Sequence, residues 1–200
     1  MNNFQFKSVV SNLIMLNVVF FLITWLLPQY LPWIDQNLAL WYWQAPNFSP
    51  IQFVSYMFLH ANFSHIFFNM FALWMFGRQL EYDMGSRRFL TYYLITGIGA
   101  GVLNLLVMQL TGDYGVTIGA SGAVFGVLLA FGLLHPNERL LLLIPPVPIK
   151  AKYFVMAYGA LELFQGVAMS DNIAHFAHLG GMFFGAALLY YWRAKRKINF

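Results

Sequence analysis

The feature that most constrains this chain is a set of six apolar runs, each close to the length that crosses a lipid bilayer. They cover residues 9–27, 63–80, 89–110, 117–134, 152–169 and 173–192. A membrane helix needs roughly 20 apolar residues, so the six runs take up more than half of the chain and leave only short connections. With 60% hydrophobic and 9% charged residues, the composition excludes an ordinary soluble domain. We therefore predict an all-α polytopic membrane protein, a six-transmembrane-helix bundle that forms one domain over residues 1–200.

The positive charges predict the orientation of these six spans. All 11 Lys and Arg residues lie in or beside four connections: before the first span, after the second, after the fourth and after the sixth. The other three connections carry only Asp35, Asp113 and Asp171 as formal charges. Because basic residues stay on the cytoplasmic side, we expect both termini in the cytoplasm, and spans two, four and six run from outside to inside. The net positive charge marks a membrane side and does not indicate a nucleic-acid partner.

The three inward-running spans begin with polar groups that are costly in hydrocarbon. The second span carries His65 and Asn69, the fourth carries Ser121 within the sequence GASG, and the sixth carries His175 and His178. A rise of about 1.5 Å per residue places Ser121 and His178 at a similar shallow depth below the outer surface. A serine hydroxyl hydrogen-bonded to an imidazole can be activated as a nucleophile. The His175 position is closer to water, so we assign the base to His178.

Small residues on two of these spans allow their helices to approach closely. Gly122 and Gly126 on the fourth span, and Gly181 and Gly185 on the sixth, each form a small-xxx-small pair. Alone, these glycines indicate a tightly packed bundle. Beside a serine and a histidine at one depth, they are expected to bring the hydroxyl and the imidazole within hydrogen-bonding reach.

Together these motifs resemble the rhomboid family of intramembrane serine proteases. The matching elements are the HxxxN of His65 and Asn69, the GASG around Ser121, and the AHxxGxxxG that begins with Ala177 and His178. The resemblance implies a rhomboid-like six-span bundle and a Ser-His dyad. Ser121 would be the nucleophile, and His178 the general base and then the general acid toward the leaving amine.

The resemblance also assigns an oxyanion hole and the residues around it. In that family the hole is formed by the motif His and Asn with the backbone N–H of the serine, which correspond here to His65, Asn69 and Ser121. The spacing of four places both side chains on one helical face. Four further residues are expected to shape the site: Gly119, Phe125, Gly181 and Gly185. No metal ion and no other cofactor is expected.

Several polar or aromatic residues depart from the family pattern or lie outside it. Gln52 stands where many members have an arginine in the first loop, and Phe125 stands where the family often has a tyrosine. The intramembrane Glu162 and Gln165 match no motif, so we assign them structural hydrogen bonds. We expect His60 to organise the first loop. The family needs no third carboxylate, and we expect none near the outer part of the sixth span apart from Asp171.

The leading hypothesis is hydrolysis of a peptide bond within the membrane plane, close to the outer leaflet. A transmembrane segment must unwind before its backbone can be attacked, so we expect single-span membrane proteins with helix-weakening residues as substrates. A rhomboid-like relative without catalysis is an alternative, disfavoured because the dyad and HxxxN positions are intact. A transporter or channel is disfavoured because the polar groups cluster at one membrane face.

Other protease classes lack their residues in this chain. There is no Cys, no HExxH motif and no pair of membrane-embedded Asp residues, which excludes thiol, zinc-dependent and intramembrane aspartyl proteolysis. The expected partners are the lipid bilayer and the transmembrane substrate, with no requirement for an oligomer. The short chain resembles the prokaryotic form, which implies a bacterial plasma (inner) membrane.

Overall fold

A computed structural model describes residues 8–141, 147–168 and 172–195. In these parts the chain is helical apart from loops and one two-stranded hairpin, which confirms the predicted helical class. The α-helices are α1 (Val9–Leu26), α2 (Leu31–Leu38), α3 (Gln52–Ser55), α4 (Phe63–Ala72), α5 (Arg78–Met84), α6 (Ser86–Thr111), α7 (Ser121–Leu134), α8 (Ala151–Ala168) and α9 (Asn172–Ala194). Short 3-10 turns at Pro28–Tyr30 and Tyr56–Phe58 adjoin α2 and α3.

Helices α1 and α6 are long and apolar enough to cross a bilayer, and α7 is a shorter apolar helix of 14 residues. Helix α1 exposes apolar side chains that a water-soluble protein would bury, among them Trp25 at 69% exposure. Such a surface is stable when lipid covers it. Of the helices in the described ranges, only α1 and α6 meet this measure of length and composition, so it does not by itself establish six spans.

Helices α4 and α5 are joined without a break by a π-helical turn at Leu73–Gly77. The helix that contains the predicted second span therefore continues beyond residue 80, as far as Met84. Near that end, the Glu81 carboxylate accepts the N–H groups of Val9 and Val10 at 2.8 and 3.0 Å. Because the first N–H groups of a helix have no partner within the helix, this carboxylate caps α1 and fixes it against α5.

The fourth span begins later than the apolar pattern predicts. Thr117 pairs with Leu40 in an isolated antiparallel bridge, and Gly119 has a φ of +123° that no helix accommodates. Helix α7 consequently starts at Ser121, four residues after the start of the apolar run at residue 117. The predicted end of the fifth span at Met169 lies outside the described residues.

A hairpin on the side of the basic connections joins α7 to α8. Strand β1 (Arg139–Leu141) pairs antiparallel with strand β2 (Pro148–Lys150), with Leu140 opposite Ile149. The Ala151 N–H donates to the Glu138 carbonyl at 2.8 Å, which fixes the start of α8 against the hairpin.

Helices α6, α7 and α9 pack together at the centre of the bundle, and glycines lie at their crossings. A Cβ atom on Gly181 of α9 would lie 2.7 Å from the carbonyl carbon of Gly122 on α7, so these two backbones are in direct contact. Gly126 and Gly185 instead face side chains of α6, among them Tyr92. Gly122 and Gly181 thus join α7 to α9, while Gly122, Gly126 and Gly185 also pack their helices on α6.

Candidate active site

Ser121 is the first residue of α7 and follows a loop that hydrogen bonds hold in place. Gly119 donates its N–H to the Tyr56 carbonyl at 2.9 Å, and the Asn104 amide donates to the Thr117 hydroxyl at 2.6 Å. The N–H groups in the first turn of a helix point outward and lie at the positive end of its dipole. The Ser121 N–H therefore lies where a backbone donor can stabilise a negative charge.

Gly119 keeps a space open beside this serine. Its φ of +123° strains any L side chain. A Cβ atom at this position would lie 2.7 Å from Nε2 of His65 and 3.7 Å from Oγ of Ser121. The missing side chain therefore leaves room between an imidazole nitrogen and a serine hydroxyl.

His178 lies against the aromatic residue one turn after the serine. Its ring is stacked on Phe125, with centroids 4.1 Å apart and planes 6° from parallel, and Tyr158 stacks on the same phenylalanine at 5.1 Å. Helical side chains lean toward the N-terminus, so the Phe125 ring covers the turn that begins at Ser121. This stack places the His178 imidazole at the level of the serine.

His65 and Asn69 lie one turn apart on the face of α4 that lines the site. Nδ1 of His65 accepts the Ala61 N–H at 3.4 Å, so the proton of the neutral ring is on Nε2, the atom beside Gly119. Asn69 is buried and donates one side-chain N–H to the His65 carbonyl at 2.8 Å. A primary amide has a second N–H, so the two residues together offer donors to the space near Ser121.

A cavity of about 750 Å³ connects these groups. Helices α4, α7, α8 and α9 all contribute to its lining, and its polar residues include Ser121, His178, His65 and Asn69. The volume is typical of sites that hold a small ligand or a peptide segment. A larger cavity of about 1250 Å³ between α1 and α4 is mostly apolar and lacks both the serine and His178, so the smaller cavity is the candidate site.

Glu162 of α8, to which the sequence assigned only a structural hydrogen bond, lies at this site. Its Oε2 atom lies 2.9 Å from Nδ1 of His178 and 2.7 Å from Nδ1 of His175. The expectation that no carboxylate other than Asp171 lies near the outer part of the sixth span is therefore wrong. A usable signal was the spacing of four from Phe154 and Tyr158 to Glu162, which places all three on one face of α8.

Glu162, His175 and His178 are the group of described residues whose donor atoms are close enough to hold a metal ion, all lying within 4.8 Å of one another. One carboxylate oxygen, however, is at hydrogen-bonding distance from both imidazole nitrogens. Imidazole N–H donors to a carboxylate account for this geometry without an ion.

Two buried polar residues, Gln52 and His60, lie in the first loop next to the site. Gln52 is fully buried, donates to the Asn47 carbonyl at 2.8 Å and accepts the Trp41 N–H at 3.3 Å, so it joins separate parts of the loop. His60 is 6% exposed, and its ring lies edge-on to His65 at 4.8 Å. Burial is the larger cause, and the nearby His65 the smaller, of a fall in the pKa of His60 to about 3. His60 is therefore neutral near pH 7.

The sequence of this chain is similar to those of proteins named as rhomboid or rhomboid-like. The Rhomboid domain family matches residues 47–195. The chain is 33% identical over 153 residues to Rhomboid protein 1, mitochondrial, of Saccharomyces cerevisiae, a match that covers 76% of this chain and 44% of that protein. It is 32% identical over 147 residues to Rhomboid-like protein 11, chloroplastic, of Arabidopsis thaliana, covering 70% and 51%. It is 31% identical over 129 residues to the Presenilin-associated rhomboid-like protein, mitochondrial, of Homo sapiens, covering 64% and 34%.

The apolar helices and the cavity place this protein in the class of helical membrane proteins with a polar site inside the bundle. The chain belongs to the rhomboid family, because the family's domain matches most of its length. This confirms the family predicted from the three motifs. The chain spans between about a third and about half of the length of the relatives named above.

The predicted localisation is wrong. The short layout, which resembles the prokaryotic form, predicted a bacterial plasma membrane, and the charge pattern then predicted both termini in the cytoplasm. The relatives that it matches are named as mitochondrial or chloroplastic proteins, so they do not support a bacterial plasma membrane. Chain length and span pattern carry no information about the compartment, so they could not predict it.

Proposed function

We propose that this protein is an intramembrane serine endopeptidase that cleaves transmembrane segments of membrane proteins near one bilayer surface. The observation that carries the proposal is the single cavity lined by the Ser121 hydroxyl, the His178 imidazole and the donors His65 and Asn69. These are the residue types that acyl transfer requires: a nucleophile, a base and preorganised donors for an oxyanion.

In the first half of the reaction, the Ser121 oxygen attacks the carbonyl carbon of the scissile peptide bond while its proton passes to His178. The carbonyl oxygen becomes an oxyanion, which the Ser121 N–H and the side chains of His65 and Asn69 stabilise. The C–N bond then breaks, and His178 returns the proton to the leaving amine. The result is an acyl-enzyme ester on Ser121 and a released fragment with a new amino terminus.

In the second half, a water molecule replaces the amine. The water oxygen attacks the ester carbonyl while His178 takes a proton from the water. The same donors stabilise the second oxyanion. The proton then returns to the Ser121 oxygen, the ester bond breaks, and a carboxylic acid is released. The cavity must therefore admit water, to which the polar side chains in its otherwise apolar lining can hydrogen-bond.

The proposal includes six membrane spans, formed by α1, by α4 with α5, and by each of α6 to α9. Each of these helices coincides with an apolar run, and the Lys and Arg residues alternate between sides accordingly. We infer that substrates are single-span proteins that enter between α4 and α8. Both helices line the cavity, and its lining includes Phe68, which is 66% exposed, so the cavity reaches the bundle surface.

An organellar inner membrane fits both the relatives and the charge pattern. The mitochondrial and chloroplastic names of the matched proteins support such a membrane. Basic residues would then face the matrix or the stroma, and the site would lie near the opposite surface.

Cleavage of a test substrate after reconstitution into liposomes tests this function. The substrate is a single-span protein with helix-weakening residues near one end of its span, labelled at both termini. The wild-type protein should give two fragments cut within or beside the span, and so should the control variant Ser11→Ala on α1. Ser121→Ala should give none while keeping the wild-type thermal midpoint. Intact substrate with the folded wild-type protein would favour the non-catalytic relative.

A further inference from the structure

Glu162 is a buried carboxylate with one oxygen shared by two imidazoles. Oε2 lies 2.9 Å from Nδ1 of His178 and 2.7 Å from Nδ1 of His175, and the residue is only 5% exposed. A charge at this depth is costly unless it is paired. An ionised carboxylate only accepts hydrogen bonds, so each imidazole contributes an N–H from its Nδ1 atom.

For His178 these contacts define which ring nitrogen carries the proton. With the proton on Nδ1, the neutral ring has an unprotonated Nε2. The same ring lines the cavity together with Ser121, and its stacking on Phe125 at 4.1 Å restricts its tilt. Nε2 is therefore the nitrogen available to take a proton from the serine.

We propose that Glu162 is a positioning residue that holds the His178 imidazole in the tautomer and orientation needed to accept the Ser121 proton. When the Ser121 O–H bond breaks, the new N–H bond forms at Nε2. The Nδ1 proton stays on the ring, and the charge of Glu162 stabilises the resulting imidazolium. The inference rests on the proposed serine-protease function and adds a third residue to the dyad.

His175 supports this arrangement as a second hydrogen-bond donor to the carboxylate. Its Nδ1 donates to the same oxygen, so two donors from one helix fix that oxygen against α9. His175 also packs on Gly166 of α8, where a Cβ atom would lie 3.3 Å from the histidine Cβ. This contact draws α8 and α9 together next to Glu162.

The place of Glu162 on its helix also favours a role at the site over an isolated structural hydrogen bond. Phe154 and Tyr158 line the cavity, and Glu162 follows at the same spacing of four. The three residues thus form one face of α8, on which two side chains contact the cavity and the third contacts the base.

The experiment compares Glu162→Gln and Glu162→Leu with Gln165→Leu, a matched control on the same helix. In the liposome cleavage assay, both Glu162 variants should lower kcat about 10- to 100-fold, as expected for a misplaced catalytic group. KM should change by less than about threefold, because the substrate contacts remain. The control should cleave at the wild-type rate, and all variants should be checked for thermal midpoint.

NMR of the wild-type protein with ¹⁵N-labelled histidine provides a second readout that does not depend on variants folding. The inference requires the proton of neutral His178 on Nδ1, and it requires a shift of that proton toward Nε2 in folded Glu162→Leu. A wild-type ring protonated only on Nε2 would overturn the inference. So would normal kcat in folded Glu162 variants while Ser121→Ala remains inactive, a result that leaves the protease function intact. Absence of any wild-type cleavage would instead overturn the proposed function, and the inference with it.

Discussion

Replacing Gly181 with alanine should separate α7 from α9 and misalign the serine and the histidine. The added Cβ would lie 2.7 Å from the carbonyl carbon of Gly122 and closer still to its oxygen. Since carbon atoms pack at about 3.5 to 4.0 Å, the carbonyl carbon alone requires the two backbones to move apart by about 1 Å, and the closer oxygen requires more. Gly181 lies one turn after His178, so the shift displaces the base from Ser121 of α7. A displacement of that size typically costs about 100-fold in rate.

The assay for this variant measures kcat in liposomes together with the thermal midpoint of unfolding. Gly159→Ala is the matched control, because its Cβ would meet only the flexible end of Met182, at 3.1 Å. We expect near-normal turnover for the control and about 100-fold lower kcat for Gly181→Ala in a protein that is still folded. Full turnover in folded Gly181→Ala would show that the contact with Gly122 does not set the distance between nucleophile and base.

Three further predictions concern the oxyanion site, pH and topology. Asn69→Ala should lower kcat about 100- to 1000-fold with little change in KM, and normal kinetics would remove this residue from the oxyanion hole. Because burial lowers the pKa of His60 from 6.5 to about 3, the unfolded chain takes up the proton first as pH falls. Stability should therefore decline below pH 6.5, more steeply than in His60→Gln, as measured by thermal midpoints; equal slopes would contradict this account. Single cysteines introduced at Asp113 and Lys195 should react with an impermeant thiol reagent from opposite faces of the bilayer. Labelling of both cysteines from the same face would refute the orientation predicted from the charges.

Site residues that belong to local motifs could be predicted from the sequence alone. His65 and Asn69 are one turn apart, and Ser121 and His178 each lie in a short run of small residues, so spacing and span order predict that they share a depth. The structure brings all four to one cavity. Family membership, predicted from the same motifs, is confirmed by the match over residues 47–195.

The rest depended on contacts between segments that are distant in the chain. The two imidazole partners of Glu162 lie 13 and 16 residues further on, on another helix. The spacing of four from Phe154 and Tyr158 indicates the face of α8 that carries Glu162, but it does not reveal those partners. The late start of α7 results from pairing between Thr117 and Leu40, which hydropathy cannot register. Likewise, Gln52 satisfies its amide within the folded loop, in a way that composition alone does not indicate.

Active-site labelling tests the central claim most directly. A fluorophosphonate reacts only with a serine whose hydroxyl is activated, so the wild-type protein in liposomes should gain one adduct, mapped by mass spectrometry to Ser121. His178→Ala, folded by its thermal midpoint, should gain none. An adduct on another residue, or equal labelling of the His178 variant, would contradict the proposed Ser-His chemistry.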